Sequence, residues 1–330
     1  MKGYKMYERT KHPFDLYFAS EDDRKNIDWF YDNDYPLLYS QVNNRTWLNS
    51  SRFKSQTKGK LLLDSGAHSA HTKGIQLDVD EYINYANEHI DTVTLYVQVD
   101  HIPGKYRMPK TAKDWLEAPA LSWENYCYMR ERSADPNKLV PVFHQGEDFK
   151  WLKNMCDARF DGEPIQYIGL SPRGDVSLQA KYDFCAECFG VIEESTNPNV
   201  KTHAFGATSL DMLERLPFTS ADSTTCNMVC AFGQVWVPAT LFGNNDTVGV
   251  KLGISNQNKS HETSTQVYWR QPKKVQDRLK EYFDSIGTSV ELLADSYTER
   301  NRVSAIFCHN WAMNYEYKGR RSFIGKRPLF

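Results

Sequence analysis

What the sequence lacks narrows its class before any motif is read. No run approaches the ~20 consecutive apolar residues of a membrane-spanning helix, so no membrane association is expected. The opening residues, MKGYKMYERTKHPFDLYF, hold no apolar stretch of signal-peptide length, and a soluble protein in the cytoplasm is expected. The seven cysteines are odd in number and lack small-scaffold spacing, which argues for reduced thiols rather than a disulfide framework. There is no large charge of one sign: the formal net charge is -2, so any anionic partner has to be met by a local patch. No glycine-rich dinucleotide fingerprint follows any strand-like run. No low-complexity linker and no short-period repeat breaks the chain.

What is present is a rhythm. Short apolar runs end in small or acidic residues: FDLYFAS (14–20), KLLLDSG (60–66), DTVTLYVQVDHIPG (91–104), KLVPVFHQG (138–146), IQYIGLSPRG (165–174), VKTHAFGATS (200–209) and FTSADSTTC (218–226). GQVWVPATLF (233–242) or VGVKLGISN (248–256) would supply the last strand. Helix-like stretches lie between them, at 78–90 with Asp78 as cap, 122–133, 148–159, 178–195, and 209–216 with Ser209 as cap. Alternating strand and helix predicts an α/β fold with a parallel sheet, and the number of units favours a (β/α)8 TIM barrel over an open doubly wound sheet. Residues 271–317 read as mostly helical and run into the basic stretch KGRRSFIGKR (318–327). The simplest organisation is one barrel domain over 1–330, with residues 271–330 as a helical, basic C-terminal extension packed on it.

In such a barrel the chemistry sits at the C-terminal strand ends. Asp64, Asp100, His101, His144, Gln145, Gly169, Arg173, His203 and Asp222 are expected there, with Ser65 and Gly66 on the turn after Asp64. Three acids could divide the work between a nucleophile, an acid/base and a group that reads a substrate. No metal triad is evident.

The ordered series resembles the guanine transglycosylase superfamily, the tRNA-guanine transglycosylases and their DNA-modifying relatives. DSGAHS looks like that family's DSGxxS/Q turn. VQVDHIPG looks like the strand carrying its second aspartate, and SWENYCYM like a W-x-N-Y segment. VPVFHQGEDFKWL resembles a PVFHxGE element, YIGLSPRG the glycine-bearing substrate loop, and KTHAFGATSLDML with SADSTTC the strand of the nucleophile. The resemblance spans roughly residues 14 to 235. It implies that Asp222 attacks the sugar C1′ of a guanosine and displaces the base, forming a covalent glycosyl-enzyme. It implies Asp64 as acid/base, Asp100 as acceptor for the purine N–H groups, and Gln145 with the Gly169 N–H as donors to the carbonyl oxygen. Ser65, Gly66, His144 and His203 would line the base site, and Tyr106 or Phe143 could sandwich the base.

The tRNA enzymes carry a zinc array after the nucleophile, and this sequence lacks it. Cys185 and Cys188 precede Asp222, and a lone CxxC is two ligands short of a structural site. Cys226, Cys230, Cys308 and His309 are the remaining zinc candidates, and no cofactor is expected to be required. The departure points to the phage-type DNA branch, acting in a host cytoplasm, with DNA and a 7-deazaguanine base as partners and a homodimer left open. Phosphate contacts would come from Lys105, Arg107, Lys110, Arg173, Arg320 and Arg321, and from KSQTKGK (54–60). The alternatives are a tRNA-guanine transglycosylase, a non-catalytic nucleic-acid-binding barrel, and a barrel nucleosidase that uses water as acceptor.

Overall fold

The computed structural model describes residues 14–19, 24–42, 60–104, 106–206, 209–223, 225–245, 248–258 and 266–317. Its central layer is built from the short apolar runs. β1 (Asp15–Phe18), β2 (Leu37–Ser40), β3 (Leu61–Asp64), β4 (Leu95–Val97), β5 (Leu139–Val140), β6 (Val142–His144), β9 (Tyr167–Ser171), β10 (Lys201–Ala204) and β11 (Ser220–Ser223) form one sheet. The strand order is β5-β4-β3-β2-β1-β11-β10-β9-β6. Every pairing in it is parallel. β5 and β6 follow each other directly across Pro141, yet stand at opposite ends of this order. The sheet therefore curls into a nearly closed, barrel-like layer. A small antiparallel pair, β7 (Arg159–Phe160) with β8 (Glu163–Pro164), lies outside it.

Strand periodicity divides the core in two. Leu62, Tyr17, Leu95, Val97, Val140, Val142 and Tyr167 form one cluster, the filling of the barrel. Their chain neighbours Leu61, Leu63, Leu16 and Phe18 belong to a second cluster shared with the helices. Side chains one residue apart point to opposite faces of a strand, so a strand buried on both faces reads as a continuous apolar run. That is why LLL could be recognised and why it delivers Asp64 at its end.

The helices are α1 (Arg24–Asp32), α2 (Ala67–Lys73), α3 (Val79–Glu88), α4 (Ala112–Arg132), α5 (Lys150–Asp157), α6 (Leu178–Glu193), α7 (Leu210–Arg215) and α8 (Thr225–Ala231). Asp78 caps α3 by accepting from the Asp80 and Glu81 N–H groups, and Ser209 caps α7 through Met212 N–H, as their sequence predicts. α4 begins ten residues before the predicted stretch at 122. Thr111 and Asp114 close a reciprocal capping box there, and the helix passes through Pro119.

Two strand expectations are corrected. β2 was not anticipated, because LLYS is only four residues long and follows Pro36 in a polar stretch. The two runs offered for the last barrel strand instead form an antiparallel pair outside it, β12 (Gln234–Pro238) with β13 (Gly249–Gly253). These strands share an apolar cluster (Val235, Val237, Leu252, Ile254, Leu279, Phe283, Leu293) with α9 (Lys273–Ser285) and α10 (Val290–Asp295). The segment appended to the barrel layer thus starts at β12. α11 (Tyr297–Met313) joins the two regions, placing Val303 in the smaller cluster and Phe307, Cys308 and Trp311 in the larger one.

Candidate active site

Because all nine strands run the same way, their C-terminal ends open on one mouth. Asp64 is the last residue of β3. Its Oδ2 accepts the Gly66 N–H at 3.0 Å. Gly66 has φ 78, and a Cβ there would lie 2.5 Å from Val42 Cγ2 and 2.7 Å from Ser40 Oγ, so only glycine turns the chain into α2 at this point. Ser65 is fully buried and its hydroxyl accepts the Ala67 N–H. Ser65 and Gly66 therefore shape the turn, and the Gly66 N–H serves Asp64. The Asp64 carboxyl is pushed up to about 7, by burial first and then by the charge of Asp100, with a smaller contribution from Asp222; the Gly66 N–H opposes the rise. The three aspartates lie close enough to share one electrostatic field.

Asp100 lies three residues beyond β4, and α4 grips the chain on both sides of it. Ser122 Oγ accepts the His101 N–H at 2.8 Å, and Asn125 Nδ2 donates to the Val99 carbonyl at 2.9 Å. Asp100 Oδ2 stands 2.9 Å from His144 Nε2. The other ring nitrogen, His144 Nδ1, lies 3.2 Å from Glu147 Oε1, and the His144 backbone N–H donates to Glu147 Oε2 at 3.1 Å. Burial pulls the imidazole down, but hydrogen bonds to Asp100 and Glu147 outweigh it and raise His144 to about 10. Gly146, at φ 112, closes this HQGE turn against Trp115, where a Cβ would come within 2.7 Å of the indole.

His203, in β10, is fully buried. Its Nδ1 lies 2.7 Å from Ser220 Oγ, which in turn lies 2.7 Å from Tyr167 Oη. Its Nε2 is 3.4 Å from Asp222 Oδ1, without hydrogen-bond geometry. Asp222 Oδ1 accepts the Gly206 N–H at 2.8 Å. The Phe205 ring lies 4.4 Å from the His203 ring.

Several expected contacts are corrected. The Gly169 N–H cannot serve a ligand, because it donates to the Pro141 carbonyl at 2.8 Å inside the sheet. Gly169 makes room for Phe205 instead, whose ring would meet a Cβ there at 2.4 Å. The Gln145 side chain bridges protein groups: Oε1 accepts the Arg173 N–H at 3.0 Å and Nε2 donates to the Ala180 carbonyl at 3.2 Å. It staples the loop after β9 to α6. Phe143 is fully buried and packs on Phe184 in the layer between strands and helices, away from the mouth. Tyr106 is 45% exposed, with the Arg107 guanidinium 5.2 Å from its ring centre.

Among the described residues, no group of three or more His, Cys, Asp or Glu side chains is arranged to hold a metal ion. Cys230 is buried with its sulfur 3.3 Å from Ser304 Oγ, Cys308 is buried, and His309 stacks on Tyr35 at 4.2 Å; these three zinc candidates belong to no metal-holding group among the described residues. Burial raises the Cys185 thiol to about 12, and it raises the Cys188 thiol well above its ordinary value. Arg173 forms a two-pronged pair with Asp175, at 2.9 and 2.6 Å. Lys110 Nζ sits 5.1 Å above the Trp115 ring. Lys105, Arg320, Arg321, residues 54–59 and the Cys226 side chain lie outside the described residues. Sequence reasoning missed Glu147, Phe205, Gly206, Ser220 and Tyr167. Only Glu147 had a visible signal, an H-x-x-E spacing directly after a strand. Comparison of the chain with models of known protein families and with curated proteins gives no match.

Proposed function

We propose that the protein is a DNA-guanine transglycosylase, built on a (β/α)8 barrel whose fifth strand is broken at Pro141. The observation that carries this reading is the convergence of Asp64, Asp100 and Asp222 on one mouth, where burial and the charge of Asp100 push the Asp64 carboxyl up to about 7. An acid/base that must give a proton in one half-reaction and take one in the next works best with a pKa near the working pH.

In the first half-reaction an Asp222 carboxylate oxygen attacks C1′ of the deoxyguanosine and the C1′–N9 bond breaks. Its electron pair leaves with guanine, which collects a proton from Asp64. A glycosyl ester on Asp222 remains. In the second, a 7-deazaguanine base such as 7-cyano-7-deazaguanine gives its ring N–H proton to Asp64 and attacks C1′, releasing Asp222. Two displacements at one carbon restore the original configuration, as in retaining glycosidases. Asp100 accepts hydrogen bonds from the purine N–H groups. Adenine would leave that buried acceptor unpaired, which is how such a site rejects it.

The choice of DNA over tRNA rests on the region after the nucleophile. Where a zinc array would be expected, β12, β13, α9 and α10 close on an apolar cluster. A duplex base is out of reach of such a mouth, so the target is flipped out or taken from melted strand. The test is an exchange assay: protein with duplex DNA, single-stranded DNA or tRNA and 7-cyano-7-deazaguanine, digested to nucleosides and read by mass spectrometry. A modified deoxynucleoside supports the reading. A product in tRNA alone keeps the chemistry and moves the substrate to RNA. Release of free guanine without incorporation indicates a nucleosidase, and no product on any polymer favours a non-catalytic binding protein.

A further inference from the structure

We propose that Glu147 is a positioning residue for base recognition: it clamps His144 as a doubly protonated imidazolium, which fixes Asp100 with one oxygen engaged and the other presented to the base. The base-binding half of this statement rests on the transglycosylase reading; the clamp itself does not.

With Asp100 and Glu147 both ionised, the geometry has both ring nitrogens donating. Nδ1 faces Glu147 Oε1 at 3.2 Å and Nε2 faces Asp100 Oδ2 at 2.9 Å. A neutral imidazole has one N–H, so one of these contacts would set a lone pair against a carboxylate oxygen. Glu147 holds the ring by two handles, since Oε2 also accepts the His144 backbone N–H at 3.1 Å. Its side chain is only 1% exposed. Burying a carboxylate this deeply is costly unless it is paired and fully hydrogen-bonded. A glutamine would satisfy the backbone N–H equally well, so the turn alone does not call for a charge. What the charge adds is the second proton on His144.

The consequence falls on Asp100. With Oδ2 held by His144, and no hydrogen bond to Oδ1 among the described residues, the carboxylate presents one fixed acceptor. A fixed acceptor discriminates between bases that carry a donor at that edge and bases that do not. Other titratable groups in the field of Asp100 are Asp64, the buried Tyr82 and, on the rim, His71, the last depressed by burial and by Lys110, His68 and His101; Asp222 acts on Asp64. None of them touches His144 or Glu147 within hydrogen-bonding distance.

The test uses the full-length protein with nitrogen-labelled histidine. His144 is identified by the signal lost in His144→Gln, and its protonation is followed by NMR from about pH 6 to 10. In the wild type His144 is expected to stay doubly protonated at pH 8. In Glu147→Gln it is expected to be neutral at that pH, and Glu147→Asp to restore the charge in part. In the exchange assay, Glu147→Gln should raise the KM for the deazaguanine base at least tenfold while kcat at saturation changes less than threefold. If His144 stays charged at pH 8 in Glu147→Gln, or if kcat falls with the melting temperature while KM is unchanged, the proposal is overturned. If Glu147→Gln does not fold, Asp100→Asn is read through the same His144 signal and must also lower its protonation at pH 8. A wild type that shows the charged His144 but exchanges no base would overturn the base-recognition half and leave the clamp standing.

Discussion

Two histidine–aspartate pairs face each other at the mouth, and they differ in what stands behind the imidazole. Behind His144 is a buried carboxylate, Glu147, and the Asp100 contact is a close 2.9 Å. Behind His203 is the Ser220 hydroxyl, itself backed by Tyr167, and the Asp222 contact is a looser 3.4 Å. The first arrangement suits a carboxylate that must stay in place and accept hydrogen bonds. The second suits one that must give up an electron pair, because a tight ion pair would hold that pair back. The residue types are the same, and on the proposed reading the environment separates their roles, as when two carboxylates in one glycosidase site serve different steps.

The sharpest way to break this comparison is to neutralise each aspartate in turn. Asp222→Asn should abolish exchange, by at least ~10³-fold in kcat, and should remove any covalent adduct seen on a denaturing gel with single-stranded DNA. Asp100→Asn should instead weaken base binding, raising KM while the adduct still forms. If both variants lose the adduct and neither shifts KM, the two pairs do not have separate roles.

Asp64 stands between the pairs and gives the next largest effect, one that reads in stability as well as rate. Its folded-state pKa is raised from 3.8 to about 7. The folded state therefore binds this proton more tightly than the unfolded chain does. That contribution is fully present below about pH 4 and is lost as pH rises through about 7, up to ~4 kcal/mol in total. Asp64→Asn should cost ~10² to 10⁴-fold in exchange, yet be up to ~4 kcal/mol more stable than the wild type at pH 8, with little difference at pH 4. Urea unfolding at the two pH values checks it. Equal stability of the two proteins at pH 8 would mean that the carboxyl is well solvated and that the convergence of the three acids is looser than the geometry indicates.

How much of this was legible in the sequence follows from which interactions are local. The apolar runs ending in Asp64 and Asp222 were legible because parallel strands buried on both faces leave an unbroken signature. β12 and β13 were read as barrel strands because they are also β-rich. Their alternation, with Val235 and Val237 fully buried and Gln234, Trp236 and Pro238 only partly so, is the mark of a one-faced antiparallel pair. The donor role expected of Gly169 failed for a different reason. Whether a strand N–H is free depends on its register against a neighbour, here Pro141, and no local pattern records that. Gln145 is similar: its partners Arg173 and Ala180 lie 28 and 35 residues away. Glu147 was close to legible, but its meaning needed the turn at Gly146 to fold it back on His144.

A milder test addresses the second pair from behind. Ser220→Ala removes the hydroxyl between His203 and Tyr167 and takes the partner away from the buried His203 Nδ1, at a cost of about 1–3 kcal/mol in stability. If the hydroxyl orients His203 toward Asp222, kcat should fall by roughly tenfold while the KM for the base stays the same. A change in KM of equal size would place His203 in the base site, beside His144, and dissolve the contrast between the pairs.

The smallest effect extends the contrast to the rim, where two arginines differ in the same way. Arg173 is already held by Asp175 through two hydrogen bonds, and a carboxylate beside the guanidinium repels a phosphate as well. Arg107 has no ion pair among the described residues and lies next to the exposed Tyr106 ring, a cation beside a surface on which a base could stack. Each phosphate neutralised on a single strand contributes about 0.7 to the slope of log K against log salt. Arg107→Gln should therefore lower that slope by about 0.7 for single-stranded DNA, and Arg173→Gln should leave it unchanged, both measured by fluorescence anisotropy across a salt series. Equal losses would mean that Asp175 swings away when the strand binds, so that a pair closed in the free protein opens to bind the ligand.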